Sequence, residues 1–290
     1  MAHSKLLDSV RLRVAYGYAP DLDSRRVMPE GDTVWLTAHR LDQALRGQIV
    51  TTAEFRVPAL ATSDVTGMTV SEVLARGKHI LVRFDSGLTL HNHLRMDGSW
   101  YLTRAGSPAR HHPGHMIRVL LGNAQWLATG YRLHDLEIVD RTGEQRLISH
   151  LGPDLLGPDW DPGEAGRRLR NDPDRPIGEA LLDQRNLAGI GNLYKSETLF
   201  IERAHPWTRV GQVQQLDNVI NTAQRLLLIN RDHPEQSTTG LTGRGQSHWV
   251  YERSGQPCRR CRTPIMRDLQ GDAGRERSTY WCPRCQSAST

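Results

Sequence analysis

The chain has 290 residues, and its composition, 38% hydrophobic and 24% charged, is typical of one large or two smaller domains with a hydrophobic core. No apolar run reaches the roughly 18 residues that a membrane helix needs, which argues against a transmembrane protein. All four cysteines lie in the last 33 residues. This placement argues against a disulfide-stapled secreted domain and favours a reduced, cytoplasmic setting. The net charge of +5, with an isoelectric point of about 9.2, permits a polyanionic partner without requiring one.

Residues 1–27 fit poorly with the rest of the chain. Arg11 and Arg13 interrupt their apolar stretches, so the segment lacks the long hydrophobic stretch of a signal peptide. We interpret it as an expression leader or the product of a misplaced start codon, in preference to a genuine extension.

The six residues that follow Met28, from Pro29 to Val34, carry the first chemical signal. A proline after an initiator methionine becomes the N-terminus once that methionine is removed. Its nitrogen is then a secondary amine, which can attack a sugar aldehyde carbon to form an iminium ion. Glu30 beside it can act as a general acid or base. The alternative is an ordinary helix start, where proline is common, and these residues alone do not decide between the two.

Helical periodicity begins at once after Pro29. The apolar residues that fall on one face of the predicted helix are Val34, Ala38, Leu41 and Leu45. Asp32 or Thr33 is placed to cap this helix, and Gly47 is placed to end it. We therefore expect the amine of Pro29 to lie at the positive end of a helix dipole, where phosphate is attracted and a protonated amine is disfavoured.

Short strands are predicted over the rest of residues 28–150. The segments 49–57 and 78–84 are rich in β-branched or alternating apolar residues, and further short strands, separated by glycine-containing turns, follow as far as Val139. Regularly spaced short strands predict a β-sandwich or a barrel.

Residues 151–175 are rich in proline, glycine and aspartate and are predicted to be a linker between domains. Residues 176–248 read as a helical domain with helices at 178–184, 193–201 and 212–230. The polar segment 231–247 is predicted to be a mobile loop.

The most specific motif lies in residues 249–290. Cys258-x2-Cys261 and Cys282-x2-Cys285 are two cysteine pairs twenty residues apart, a spacing typical of four thiolates around one structural zinc ion. An iron–sulfur site and free thiols are the alternatives. Residues 251–290 hold eight arginines against four acidic residues. This charge favours contacts with phosphates over a merely solubilising surface.

Together these motifs resemble the Fpg/Nei family of DNA glycosylases, and its endonuclease VIII (Nei) branch in particular. The resemblance covers nearly all of residues 28–290. The matching strings are Pro29-Glu30-Gly31 at the start, Leu181-Leu182-Asp183-Gln184 with Gly189-Ile190-Gly191-Asn192-Leu193-Tyr194 in the middle, Val250-Tyr251 and Gly255-x-Pro257-Cys258 before the cysteine motif, and Arg277-Ser278-Thr279-Tyr280-Trp281-Cys282-Pro283-x-Cys285-Gln286 at its end.

The resemblance implies an α+β multidomain fold: a β-sandwich with a helix at its start, a helix-two-turn-helix domain and a zinc-finger β-hairpin. It also implies roles for individual residues. Pro29 would attack C1′ of the damaged nucleotide, Glu30 would be the acid/base partner, and Lys78 would contact DNA at the lesion. Asn192 and Arg277 would grip the phosphates that flank the lesion. Without the resemblance, a surface lysine, a turn asparagine and a solvated arginine would be the simpler interpretations.

Two regions depart from the pattern of the family. The guanine-lesion branch has an Asp-Pro-Arg-Arg-Phe-Gly stretch in its β domain, and residues 129–135 match that stretch poorly. The residue that fills the gap left by an extruded base is also open: Met96 and Leu94 lie where the family has its wedge, and a core methionine is the alternative. Both departures bear on the substrate more than on the type of reaction.

The sequence therefore predicts a bifunctional glycosylase and abasic-site lyase for oxidised bases, in particular pyrimidines, that needs only one structural zinc ion. Damaged DNA, duplex or single-stranded, is its expected partner, and the protein is expected to be a monomer in the bacterial cytoplasm at the nucleoid. One rival hypothesis is a catalytically silent protein of the same fold that binds damaged DNA, if Pro29 is never freed. The other is a zinc-ribbon protein that binds RNA or ribosomes.

Overall fold

The computed structural model describes residues 28–107 and 113–287, so the predicted leader lies outside the described part of the chain. The described residues form two four-stranded sheets, six α-helices and a separate two-stranded hairpin. This arrangement confirms the predicted α+β class, with a β-sandwich, a helical unit and a C-terminal hairpin in chain order. Within these ranges, none of the helices is long and apolar enough to cross a membrane.

The N-terminal unit is an antiparallel β-sandwich. One sheet has the strand order β1-β6-β7-β5 and the other has the order β2-β3-β4-β8. The strands are β1 (Thr52–Phe55), β2 (Val70–Arg76), β3 (His79–Phe84), β4 (Thr89–His93), β5 (Ser99–Arg104), β6 (Ile117–Gly122), β7 (Trp126–Tyr131) and β8 (Asp135–Val139). The chain crosses between the sheets after β1, after β4 and again after β7.

Helix α1 (Gly31–Leu45) packs on this sandwich and has the predicted apolar face. Its buried side chains Val34, Ala38, Leu41 and Leu45 belong to the core of the sandwich. The chain leaves the helix through Gly47, which has the left-handed φ of 71°. The predicted cap is wrong: Asp32 and Thr33 lie inside the helix, and Glu30 is the N-cap residue. Asp32 is not available as a cap because its side chain bonds to the helical unit instead.

The helical unit has its own hydrophobic core. Its helices are α3 (Pro162–Arg170), α4 (Ile177–Leu182), α5 (Asn192–Ile201) and α6 (Leu216–Asn230), and a short helix, α2 (Arg141–Ile148), precedes them at the end of the sandwich unit. Helix α5 is the centre of the unit, because every residue from Asn192 to Phe200 is buried. It packs against α4 and α6.

Residues 151–175, predicted to be a linker, instead form part of the helical unit. Asp161 caps α3 by accepting the N–H of Glu164 (3.0 Å), and Pro162 occupies the first turn. Leu155 and Leu169 are both fully buried in the core of the helical unit. The prolines and aspartates that suggest a linker are thus helix-start signals.

The C-terminal hairpin consists of β9 (Met266–Gln270) and β10 (Arg277–Trp281), which pair in the antiparallel direction. The segment leading into it is bound to α5 by Glu197. This buried carboxylate accepts the backbone N–H groups of Trp249 (2.7 Å), Val250 (2.8 Å) and Tyr251 (2.8 Å). The hairpin is therefore attached to the same helix that forms the centre of the helical unit.

Candidate functional site

Glu30 lies where the sandwich meets the helical unit. Its side chain is 1% exposed, and its carboxylate accepts hydrogen bonds from the backbone N–H groups of Gly191 (2.8 Å) and Leu193 (2.7 Å) at the start of α5. These N–H groups have no acceptor within the helix, and the helix start carries partial positive charge, so a carboxylate is a suitable partner. A backbone bond from the N–H of Gly31 to the carbonyl oxygen of Gly189 (2.8 Å) fixes the same junction.

The carboxylate of Glu30 fits only because residue 191 has no side chain. A Cβ atom at Gly191 would lie 2.4 Å from Cδ of Glu30. Burial raises the pKa of Glu30 to about 7, which the positive charge of Lys78 opposes and the negative charge of Asp32 reinforces. Glu30 is therefore an acid that exchanges its proton near neutral pH, which is the property of an efficient general acid.

Asp32 is a second buried carboxyl group at this junction. It accepts hydrogen bonds from the hydroxyl of Tyr194 (2.6 Å) and from Nε2 of Gln236 (3.0 and 3.1 Å). Burial raises the pKa of Asp32 as well. Gln236 belongs to the segment 231–247, which has no helix or strand, so Asp32 connects the start of α1 both to α5 and to this loop.

Lys78 lies in the two-residue turn that precedes β3, one position before the strand on which the sequence predicts it. The turn is held by the helical unit, because the N–H of Gly77 donates to Oδ2 of Asp154 (2.6 Å). Lys78 is partly buried, and burial lowers its pKa; the charge of Glu30 opposes this shift and that of Arg277 adds to it. The charges of Glu30 and Arg277 thus both act on Lys78.

Two residues of α5 connect this environment to the hairpin. Asn192, predicted in a turn, is the first residue of α5, and its Nδ2 donates to the carbonyl oxygen of Ser278 (2.7 Å). Lys195 is fully buried and donates from Nζ to Oγ1 of Thr279 (2.6 Å). Burial lowers the pKa of Lys195 to about 7. Arg277 begins β10 and is exposed, so its guanidinium is accessible from solvent.

The two predicted wedge residues have different environments. Leu94 is 2% exposed and belongs to the sandwich core, which contradicts its prediction as a residue that enters DNA, because leaving the core would expose it and open a cavity. Met96 is 56% exposed in the turn between β4 and β5. Since β3 begins and β4 ends at paired residues, His79 and His93, this turn lies at the same end of the sandwich as Lys78.

The four cysteines converge at the base of the hairpin. Their Sγ atoms all lie within 4.8 Å of one another, with Cys261 and Cys282 separated by 3.4 Å and Cys258 and Cys285 by 3.9 Å. A tetrahedral zinc ion with bonds of about 2.3 Å requires sulfur atoms roughly 3.8 Å apart. The thiol set therefore fits a structural metal ion, with all four positions supplied by the protein.

Known proteins share both the sequence and this architecture. The sequence matches two protein-family models. The formamidopyrimidine-DNA glycosylase N-terminal domain matches residues 28–132, and the formamidopyrimidine-DNA glycosylase H2TH domain matches residues 151–239. A probable endonuclease 8 of Streptomyces coelicolor is 54% identical, over 90% of this chain and 94% of its own length. This chain belongs to the Fpg/Nei family of DNA glycosylases.

Further relatives agree with this family assignment. The protein named DNA-(apurinic or apyrimidinic site) lyase Nei2 of Mycolicibacterium smegmatis is 45% identical over 90% of this chain and 100% of its own length. Lactococcus lactis Fpg, in a complex with DNA containing an abasic site, has the same fold, with a TM-score of 0.72 and 23% identity over 89% of this chain and all of that chain. The resemblance inferred from the motifs is confirmed.

Three buried polar residues near Glu30 and Lys78 were not predicted as site residues. Asp32 has a recognisable sequence signal, since it is a charged residue that follows closely after Pro29 and Glu30. Gln236 and Lys195 have none, because a polar residue in a loop or in a helix is usually solvated. Only the tertiary contacts reveal that both side chains are buried next to this site.

We predict that Asp32→Asn lowers the pKa of Glu30 below about 7, because the substitution removes a negative charge that raises it. Carbon-13 NMR titration of the Glu30 carboxyl group measures this pKa directly. Asp85→Asn, which removes an exposed carboxylate in the turn after β3, is the matched control and should leave the titration unchanged. An unchanged or raised pKa of Glu30 in Asp32→Asn would show that the charge of Asp32 does not act on it.

Proposed function

We propose that the protein is a bifunctional DNA glycosylase and abasic-site lyase of base excision repair that removes oxidised bases, in particular pyrimidines. The observation that carries this proposal is the buried Glu30, whose pKa of about 7 makes it a proton donor directly beside Pro29 and close to Lys78. The relatives named endonuclease 8 and abasic-site lyase support the same class of reaction.

In this reaction, removal of residues 1–28 leaves Pro29 with a free secondary amine. The nitrogen attacks C1′ of the damaged nucleotide, the bond from C1′ to the base breaks, and the base leaves with a proton. Glu30 protonates the ring oxygen so that the deoxyribose opens to the iminium ion. Loss of the C2′ proton then expels the 3′ phosphate, and a second elimination expels the 5′ phosphate.

The proposal that Pro29 is freed has two supports. The family match begins at residue 28, so the shared part of the chain starts with Met28-Pro29. The start of α1 is also bound to the helical unit, through both Glu30 and Asp32. The alternative, a silent protein that binds damaged DNA, requires Pro29 to remain an amide, whose nitrogen cannot act as a nucleophile.

DNA contacts are proposed for the groups that surround this site. Arg277 is exposed and Lys78 is partly so, and both supply positive charge for phosphates. Asn192 uses one N–H of its amide for Ser278, and an amide has a second N–H for a phosphate oxygen. Met96, exposed at the same end of the sandwich, is the proposed wedge. We further propose that the protein acts on duplex or single-stranded DNA as a monomer in the bacterial cytoplasm, at the nucleoid.

A zinc ion is proposed for the four cysteines. Cys258, Cys261, Cys282 and Cys285 would hold it with no open position, so it would stabilise the fold and take no part in the reaction. Its effect on DNA binding would pass through β10, which carries Arg277 and whose Ser278 and Thr279 bond to α5.

We predict that a chain starting at Met1 binds DNA with an abasic site but forms no borohydride-trapped adduct, whereas a chain processed to Pro29 forms one. The reason is that an iminium ion requires a free amine, and an N-terminal amine with a pKa of about 8 or below supplies it. Peptide mass mapping of the adduct is the measurement. Pro29→Gly in the processed chain should keep part of the trapping, because a primary amine also forms a Schiff base. An adduct of the unprocessed chain at a lysine such as Lys78 would contradict the role of Pro29.

We predict that Cys282→Ser, or removal of zinc by a chelator, abolishes binding of lesion-containing DNA while the sandwich stays folded, because the hairpin needs its metal to fold. Filter binding and near-ultraviolet circular dichroism measure the two properties. Ser287→Ala, a change just outside the cysteine motif, is the control and should bind normally. Normal lesion binding by Cys282→Ser would contradict a structural role for the metal in DNA binding.

A further inference from the structure

Two turns lie side by side at the end of the sandwich that carries Lys78. One turn, residues 94–98, connects β4 to β5, and the other, residues 132–134, connects β7 to β8. Both cross from one sheet to the other. They are neighbours because β4 pairs with β8 and β5 pairs with β7, with His93 opposite Asp135 and Ser99 opposite Tyr131.

The backbones of both turns adopt an uncommon conformation at an arginine. Arg95 has a φ of 53° and Arg132 a φ of 49°, in the left-handed region that residues with a side chain seldom occupy. A buried leucine adjoins each arginine: Leu94 is 2% exposed and Leu133 is 1% exposed. Such conformations persist where the surroundings fix the chain, and they cluster at functional segments.

Reciprocal ion pairs connect the two turns. Arg95 of the first turn pairs with Asp135 at the end of the second. Asp97 of the first turn accepts a hydrogen bond from Nε2 of His134 (2.9 Å) and lies 3.6 Å from Nη1 of Arg132. The first turn thus supplies a basic and an acidic group, Arg95 and Asp97. The second turn supplies two basic groups, and Asp135, the strand residue that follows it, supplies the acidic one.

The exposed Met96 lies between the two paired residues of the first turn. The turn is also closed by its own backbone, because the N–H of Gly98 donates to the carbonyl oxygen of Leu94 (2.8 Å), and a Cβ atom at Gly98 would lie 2.5 Å from that oxygen. The N–H of Arg95 donates to Nδ1 of His93 (2.9 Å). The residues on both sides of Met96 are therefore held, while its own side chain is 56% exposed to solvent.

We propose that Asp97 and Asp135, with their partners Arg95, Arg132 and His134, are positioning residues that hold Met96 ready to enter the base stack of duplex DNA. This inference rests on the proposed function and names a part of its specificity, the ability to act on paired bases. An apolar side chain that replaces an extruded base works best if it is already oriented, because a mobile turn has to be ordered during the reaction. A base in a single strand needs no such replacement.

The test compares excision of one oxidised pyrimidine from duplex DNA with its excision from the same single strand. The ratio of the duplex rate to the single-strand rate should fall about tenfold in the double variant Asp97→Asn/Asp135→Asn. Each exposed ion pair contributes little by itself, and the double variant removes them together. Asp174→Asn, which breaks the exposed Arg209–Asp174 pair (3.1 Å) of the helical unit, is the matched control and should leave the ratio unchanged.

A third variant separates positioning from general damage to the fold. In a Met96→Ala background, the two aspartate substitutions should change the duplex rate no further, because the pairs act through Met96. An unchanged ratio in the double variant, an equal loss on both substrates, or an additional loss in the Met96→Ala background would each overturn the proposal.

Borohydride trapping of the processed wild-type chain on single-stranded abasic DNA is a separate readout. Its absence would count against the proposed chemistry, whereas normal trapping with an unchanged ratio counts against the paired turns alone.

Discussion

The carboxyl group of Glu30 at the start of α5 is the contact on which the rest of the site depends. Glu30 belongs to the sandwich unit and α5 to the helical unit, so this contact joins the two units. It also gives the N–H groups at the start of α5 a partner that they would otherwise lack. Burial raises its pKa to about 7, while the helix N–H groups and Lys78 limit that rise. The same interaction that joins the sandwich to the helical unit therefore also gives Glu30 a pKa suited to proton transfer near neutral pH.

Helix α5 extends this coupling to the third unit. Asn192 and Lys195 bond to β10, and Glu197 accepts three successive N–H groups from the segment that leads into the hairpin. Arg277, at the start of β10, is thereby held close enough to Lys78 to lower its pKa. Helix α5 binds both Glu30 and the hairpin, and Asp154 of the same helical unit holds the turn that carries Lys78. Damage to the hairpin should accordingly reach the site through α5.

The sequence predicts the features that have a local signal. The apolar face of α1 follows from its spacing, the cysteine cluster from its two pairs, and the family from short motifs in a fixed order. The failures have a physical cause. Pro162 and Asp161 start a helix although their composition suggests a linker, and Leu94 is core although it adjoins an exposed turn. Lys195 and Glu197 in the polar run of α5 are fully buried, because their partners, Thr279 and the N–H groups of residues 249–251, lie far away in the sequence.

The most direct test of this account is the substitution Glu30→Gln in the chain processed to Pro29, assayed on two substrates. If the buried acid of Glu30 opens the sugar ring, excision of an oxidised base should fall by about two or more orders of magnitude. Strand cleavage at a ready-made abasic site should fall much less, because that sugar opens spontaneously. An equal loss of both activities would contradict the account, since it would mean that Glu30 holds the domains together without supplying the proton.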